Sequence, residues 1–312
     1  MIPIESLLPL LRDPADGGYL LFEPDGTMGG GTLVGVGSAQ RYAVHADVAD
    51  FVRAEREPPS VAQRVMEAKP FAEAYRRFWR EHGLPRMLRW PLDLESEHTL
   101  WRALLAPAAG LPLLDLSCGA APFTWWLARD HAGDPVIGLD VSRAMLDEAL
   151  AREERRDVHE ISFVRGDATR LPFADASFGG VLNLTALHLY PDPDAVFREV
   201  RRVLVPGGVY VVTSILPRAM VTPMGLAQRV AGRVSGMRLH GEEALRARLV
   251  SAGFDTFERI VLGGSLLVVR ASIAGSPSRT GRGCATCPSR DAEGRVPTTE
   301  PPPPDPEEDP PR

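Results

Sequence analysis

The stretch Leu113-Leu114-Asp115-Leu116-Ser117-Cys118-Gly119-Ala120-Ala121-Pro122-Phe123 joins an apolar run to a turn of small residues and then to an amphipathic segment. Small side chains let the backbone approach a ligand closely, and the free N–H groups of a helix start present donors to it. Asp140 closes the next apolar run, Val136-Ile137-Gly138-Leu139, roughly 20 residues after Gly119, the spacing at which an acid accepts hydrogen bonds from both ribose hydroxyls of a nucleoside. Asp167, in Gly166-Asp167-Ala168, sets a second carboxylate at the end of a third run, and Asn183 ends a fourth. His188 follows in Ala186-Leu187-His188-Leu189, either as a general base near a reacting group or as a histidine that closes a strand and packs on the next helix. Cys284 and Cys287 have the spacing of half a metal or redox site, but no second pair accompanies them and chance is the better account.

Positioning these groups requires a sheet. From Leu111 to about Ser272, short apolar runs alternate with amphipathic segments: Leu111–Leu116, Pro135–Leu139, Ile161–Arg165, Gly180–Leu184, Val209–Ser214, Thr256–Leu262 and Leu266–Arg270. Segments of helical periodicity, Phe123–His131, Arg143–Arg155 and Pro193–Leu204, lie between the earlier ones, and a Pro206-Gly207-Gly208 turn precedes the fifth run. Alternation of this kind implies βαβ units and a largely parallel sheet. Gly263-Gly264-Ser265 joins the last two runs as an antiparallel hairpin. Upstream, Tyr19–Phe22, Thr32–Val36 and Arg41–Val44 read as short strands. Val61–Glu67, Phe71–Glu81 and His98–Leu105 read as helices, the last started by Ser96. The division expected is 1–57, β-rich; 58–106, a helical cap; 107–273, the α/β domain; and 274–312, a disordered Pro-rich tail.

A chain of 312 residues with 44% hydrophobic and 24% charged residues can bury a sizeable core. The formal charge of −6 and the lack of any basic block disfavour nucleic acid as a partner, without closing that question. Lys69 is the one lysine among cations that are otherwise arginines. No apolar run approaches the roughly 18–20 residues of a membrane span, Met1–Leu11 lacks the basic start of a signal peptide, and three scattered cysteines make no disulfide framework; a cytoplasmic location is the expectation.

In combination the motifs resemble the class I S-adenosylmethionine-dependent methyltransferases, of the methyltransferase type 11 kind. The residues that carry the resemblance are Leu114–Phe123, Val136–Ala149, Val164–Phe178, Ala186–Pro191 and Arg201–Gly208. It implies an α/β fold with a Rossmann-like seven-stranded methyltransferase sheet, a helical cap and a small N-terminal β-rich subdomain, with S-adenosylmethionine as cofactor. It further implies that Asp115, Ser117, Cys118 and Gly119 line the methionine end and that Asp140 holds the ribose. Val141, Ser142 and Met145 would flank the adenine, Asp167 and Ala168 would meet its amino group, Asn183 would lie near the methionine, and Tyr75 would close over the cofactor. Trp79, on the same helix as Tyr75, is expected to pack in the core. Relatives usually carry glycine at the positions of Ser117 and Ala121, whose extra atoms are expected to crowd a ligand lying on the backbone, and an acid at that of Gly179. Insertions like Pro217–Leu239, with Met220, Met224 and Met237, commonly shape the acceptor pocket.

The N-terminus also resembles the zinc ribbon that opens some relatives, rRNA guanine methyltransferases among them. The four cysteine positions hold Asp13, Asp16, Gly35 and Ser38, and glycine offers no ligand, so a ribbon without metal is expected. The implied activity is methyl transfer to a small-molecule O, N or C nucleophile; an rRNA or tRNA methyltransferase and a catalytically silent S-adenosylmethionine-binding protein are the alternatives.

Overall fold

A computed structural model of the chain describes residues 1–53, 59–74, 83, 85, 88–108, 110–131, 134–151, 160–216 and 236–275. Tyr75, Trp79, most of 217–239 and the Cys284/Cys287 pair lie outside them.

The apolar runs of the central region form strands β5 (Leu113–Leu116), β6 (Val136–Asp140), β7 (Ile161–Arg165), β8 (Phe178–Asn183), β9 (Leu204–Ile215), β10 (Thr256–Gly263) and β11 (Leu266–Ser272). They are continuous because both faces of the sheet are covered, so neither face needs polar alternation. Residues of one parity (Leu114, Leu116, Ile137, Val164, Val181, Val212) join one apolar cluster, while those of the other (Leu113, Val136, Phe163, Leu182, Val211) join a second. β7, β6, β5, β8 and β9 run parallel in that order, β11 and β10 follow antiparallel, and the chain's course reverses at β5. The crevice at that reversal, beyond the carboxyl ends of the strands, is where open α/β sheets bind ligands.

Helices α1 (Ile4–Leu7), α2 (Val61–Glu67), α3 (Lys69–Ala74), α4 (Leu94–Leu105), α5 (Thr124–Asp130), α6 (Arg143–Leu150), α7 (Pro193–Val203) and α8 (Glu242–Ser251) supply the cover. Val196, Phe197, Val200, Leu245 and Leu249 of α7 and α8 pack on one face; Trp101, Leu105, Trp125, Leu127 and Leu146 of α4 to α6 pack on the other. α4 starts at Leu94, four residues before the expected His98: Asp93, not Ser96, is its cap, and the Asp93 carboxylate accepts the Ser96 amide at 2.8 Å. Among the described residues no helix is long and apolar enough to cross a membrane.

The N-terminal strands β1 (Leu20–Pro24), β2 (Gly31–Gly35) and β3 (Arg41–His45) form where the sequence indicated, but not as a subdomain apart from the sheet. A short fourth strand, β4 (Val48–Asp50), pairs antiparallel with β3 and parallel with β7, so the described sheet has 11 strands. The Arg165 guanidinium fixes this junction, donating to Asp50 at 2.7 Å and to the Val141 carbonyl at 3.0 Å.

Asp13, Gly35 and Ser38, three of the four ribbon positions, converge around one buried carboxylate, with Asp16 beside Gly37. Asp13 accepts the Tyr42 hydroxyl at 2.6 Å, the Ala15 amide at 2.7 Å and the Ser38 hydroxyl. Gly35 is required there because a Cβ would overlap the Asp13 carboxylate. Among the described residues no group of three or more His, Cys, Asp or Glu side chains is placed to hold a metal. Hydrogen bonds to Asp13 thus cross-link these segments. Asp13→Ala is expected to cost about 2–4 kcal/mol, because it leaves buried donors unpaired, while a chelator leaves the unfolding midpoint of the wild type unchanged; urea denaturation with and without chelator checks both.

Candidate cofactor site

β5 ends at the turn Ser117–Ala121, whose backbone is left-handed at Ser117 (φ 57°), Gly119 (φ 57°) and Ala121 (φ 54°). Only glycine adopts this region without penalty; each other residue costs about 1–2 kcal/mol, so the turn persists because its surroundings hold it. The hold comes from β6. One oxygen of Asp140 accepts the Gly119 amide at 2.8 Å and the other accepts the Ser142 amide at 2.8 Å. The Cys118 amide bonds the Leu139 carbonyl at 3.0 Å, so the turn is laced to the end of β6 at two adjacent points. Each Asp140 oxygen keeps acceptor capacity beyond these bonds. Burial, opposed by the backbone amides, raises the Asp140 carboxyl above the usual range.

Asp115, at the end of β5, is buried and accepts the Thr124 hydroxyl at 2.5 Å from the first residue of α5. Burial is the main cause that pushes its carboxyl up to about 7; the Thr124 bond opposes this and the charge of Asp140 adds to it. Ser117 and Asn183 meet through Tyr190, to which the sequence reading gave no role. The Ser117 and Tyr190 hydroxyls are 2.8 Å apart, and the Asn183 amide donates to the Tyr190 hydroxyl at 2.8 Å and to the Leu116 carbonyl at 2.7 Å. The Tyr210 hydroxyl donates to the Asn183 Oδ1 at 3.3 Å. Thus both amide hydrogens of Asn183 tie β8 to the β5 turn.

On the other side of Asp140, Met145 packs with Ala120, Ala144, Phe71 and Ala72, so α3 lies over the turn and α6. Glu67 of α2 is near enough to raise the Asp140 carboxyl further. Asp167 accepts the amide of Thr169 at 2.8 Å and its hydroxyl at 2.7 Å, and Ala168 is buried beside it. Val141 is set by Arg165 through its carbonyl, and Ser142 caps α6 by accepting the Met145 amide at 3.3 Å. Cys118 turns its thiol into the core, where burial raises it well above its ordinary value.

Two departures from the family pattern, Ala121 and Gly179, are set by packing. The Ala121 methyl is fully buried in the apolar cluster with Trp101, Phe123 and Trp125. Gly179 lies on β8 against Leu111 and Ala108, where a Cβ would come within 2.6 Å of Leu111 Cβ, so an acid there has no room. Packing of the cap against the sheet explains that departure. Tyr75 lies outside the described residues. His188 is buried beside His240; desolvation first, and His240 second, hold its imidazolium down to about 4, so the ring is neutral at neutral pH and a weak base.

The match to known proteins falls on this same region. A methyltransferase-domain family model matches residues 114–212. An uncharacterized chloroplastic methyltransferase of Arabidopsis thaliana is 30% identical over 226 residues, covering 69% of this chain and 63% of that protein. A fatty-acid O-methyltransferase of Mycolicibacterium smegmatis is 37% identical over 116 residues, covering 37% of this chain and 41% of that protein. A demethylmenaquinone methyltransferase of Staphylococcus saprophyticus is 37% identical over 122 residues, covering 37% of this chain and 51% of that protein. The chain therefore spans less than two thirds of each of these relatives. Among solved structures, a Haemonchus contortus phosphoethanolamine N-methyltransferase in complex with S-adenosyl-L-methionine superposes with TM-score 0.55 at 15% identity, over 70% of this chain and 61% of that one, a likeness of fold.

The raised Asp115 carboxyl has a measurable sign. The folded state prefers the protonated acid, so this group's contribution to stability falls as pH rises from the ordinary value of 3.8 through about 7. Asp115→Asn, which keeps an acceptor for Thr124, is expected to raise the melting temperature relative to wild type at pH 8 and to lose that advantage at pH 4; a pH series of thermal melts checks it. Residues 114–212 carry a methyltransferase domain, and the sheet order around the turn after β5 is shared with solved S-adenosylmethionine-dependent methyltransferases.

Proposed function

We propose that the protein transfers a methyl group from S-adenosylmethionine to a small-molecule acceptor, with residues 107–273 as the catalytic domain, 58–106 as a cap and 1–57 as a metal-free ribbon. The observation that carries this reading is the Asp140 carboxylate, bonded to the Gly119 and Ser142 amides at 2.8 Å and still able to accept further bonds. The fit of the group rests on three features. Asp140 offers acceptors to the ribose hydroxyls, the Met145–Ala120–Phe71 cluster offers an apolar bed for the adenine, and the methyl of Ala121 is turned into the core. Asp167, Ala168, Val141 and Ser142 would border the base, and Asp115, Ser117, Cys118, Gly119 and Asn183 the methionine end.

The cofactor supplies a methyl group on a sulfonium, already a good leaving group. The chain's own residues then do mainly positioning, which is worth about 7–11 kcal/mol when two reactants are held in line. The buried carboxyl of Asp115 sits where a cationic ligand would favour its ionised form. His188, buried and with its imidazolium held down to about 4, would take a proton only from an acidic acceptor. The net charge of −6 argues for a small molecule over nucleic acid, and the packing accounts for Ala121 and Gly179 leave no observation that favours a silent protein.

S-adenosylhomocysteine is expected to raise the thermal midpoint, since a ligand that binds only the native state stabilises it. Asp140→Ala is expected to weaken that ligand by at least about 10-fold, the worth of one hydrogen bond to a charged group. Equal affinity in mutant and wild type by calorimetry would remove Asp140 from the site.

A further inference from the structure

The hairpin of β1 and β2 lies at one end of the sheet, and among the described residues β1 has a strand neighbour on one side only. The hydrogen bonds of the hairpin show which backbone groups face the open side. The Val36 amide donates to the Tyr19 carbonyl at 3.0 Å, and the Asp25 amide to the Gly30 carbonyl at 3.3 Å, so the odd-numbered residues of β1 bond β2. In an antiparallel ladder the alternate residues turn their N–H and C=O groups the other way. Leu20, Phe22 and Pro24 therefore aim their backbone outward, and Pro24 has no N–H to offer.

The side chains alternate as well. Leu20 and Phe22 pack into the core, while Tyr19, Leu21 and Val36 are 64%, 61% and 62% exposed. Leu21 stands opposite Val34 and Tyr19 opposite Val36, so these residues share one face of the hairpin. Both charges on that face have a defined place. The Arg12 guanidinium lies over the Tyr19 ring, 4.5 Å from its centroid, and the Glu23 carboxylate is 2.7 Å from Arg41 and still half-exposed. Proteins commonly blunt a free sheet edge with charges or proline. Here Glu23 and Pro24 do so at one end of β1, and Leu20–Phe22 is left apolar and unguarded.

A second copy of this chain fits that edge in one register. With a two-fold axis at Leu21, Leu20 of each copy faces Phe22 of the other, and each such pair exchanges both its N–H···O=C bonds. Leu21 then meets Leu21 of the second copy, and Tyr19 with its Arg12 faces Glu23 of the second copy. An axis at Leu20 would need Gly18, whose amide already donates to Asp16 at 2.8 Å and whose carbonyl accepts the Asp13 amide at 2.9 Å. An axis at Phe22 sets Leu20 against Pro24, which lacks the donor, and Leu21 against the charge of Glu23. Pairing β1 with itself also consumes the edge, so the assembly closes at two copies.

We propose that β1 is the interface through which two copies of this chain join their sheets, with Leu21 at its centre and Arg12 and Glu23 of opposite copies setting the register. An exposed ion pair adds little affinity, but like charges brought together there reject a wrong register. The inference is independent of the methyltransferase reading.

The test is sedimentation velocity on the full chain over a dilution series, with amide exchange read at Leu20 and Phe22. The wild type is expected to dimerise with rising concentration, and those two amides to exchange more slowly as it does. Leu21→Lys, a change on the exposed face, sets like charges opposite each other across the axis. It is expected to raise the dimer dissociation constant at least about 10-fold, with the circular dichroism spectrum unchanged. Arg12→Glu and Glu23→Arg each bring like charges together at both symmetric contacts and are expected to weaken association in the same way. Mixed in equal amounts, the two variants are complementary at both contacts, and the mixture is expected to dimerise as the wild type does. A wild type that stays monomeric at its highest concentration, its β1 bare or covered by another part of the chain, overturns the proposal. So does a dimer that Leu21→Lys leaves intact, or a mixture no more associated than either variant alone.

Discussion

The carboxylate of Asp140, desolvated at the end of β6 and held by two backbone amides, is the interaction on which the site depends. It joins β6 to the β5 turn through Gly119 and to α6 through Ser142, so one side chain sets the relation among three elements. Three left-handed residues in five make that turn conformationally expensive, and two of them, Ser117 and Ala121, are not glycine. The structure meets that cost locally. Ser117 gains a hydrogen bond to Tyr190, and Ala121 buries its methyl in the apolar cluster beneath the turn.

The strands added at the N-terminus belong to the same architecture. β4 pairs with β7, and Arg165 at the end of β7 bridges Asp50 and the Val141 carbonyl. That carbonyl directly follows Asp140. The segment that would border the adenine is therefore braced from the side that the extra strands occupy. Further out, the Asp13 knot links the turn after α1 to β3 through three hydrogen bonds. The ion pair between Arg165 and Asp50 is about three-quarters buried on both sides, so it specifies geometry more than it adds stability.

Much of this was legible in the residues. Parallel strands covered on both faces announce themselves as unbroken apolar runs, and all seven runs of the central region are strands. The placement of Asp140 and Asp167 at strand ends was legible because each follows an unbroken apolar run. Less visible was β4, since three residues, Val48–Asp50, carry no periodicity and owe their strand to β7. Tyr190 was missed because its partners Ser117 and Asn183 are joined to it by the fold, 73 and 7 residues away. The helix start at Asp93 was missed because Asp93 and Ser96 are both capping residues, and which one caps depends on backbone angles that composition does not fix. That the Ala121 side chain joins the apolar cluster was not legible either, because the direction of a methyl follows from φ and packing, not from residue type.

The central claim is that Asp140 both sets the β5 turn and receives the nucleoside. A crystal structure of the full chain with S-adenosylhomocysteine tests it most directly. The account predicts both ribose hydroxyls within hydrogen-bond distance of the Asp140 oxygens, with the Gly119 amide still bonded to the same carboxylate. A nucleoside bound elsewhere, or a ribose that leaves Asp140 untouched, would contradict it.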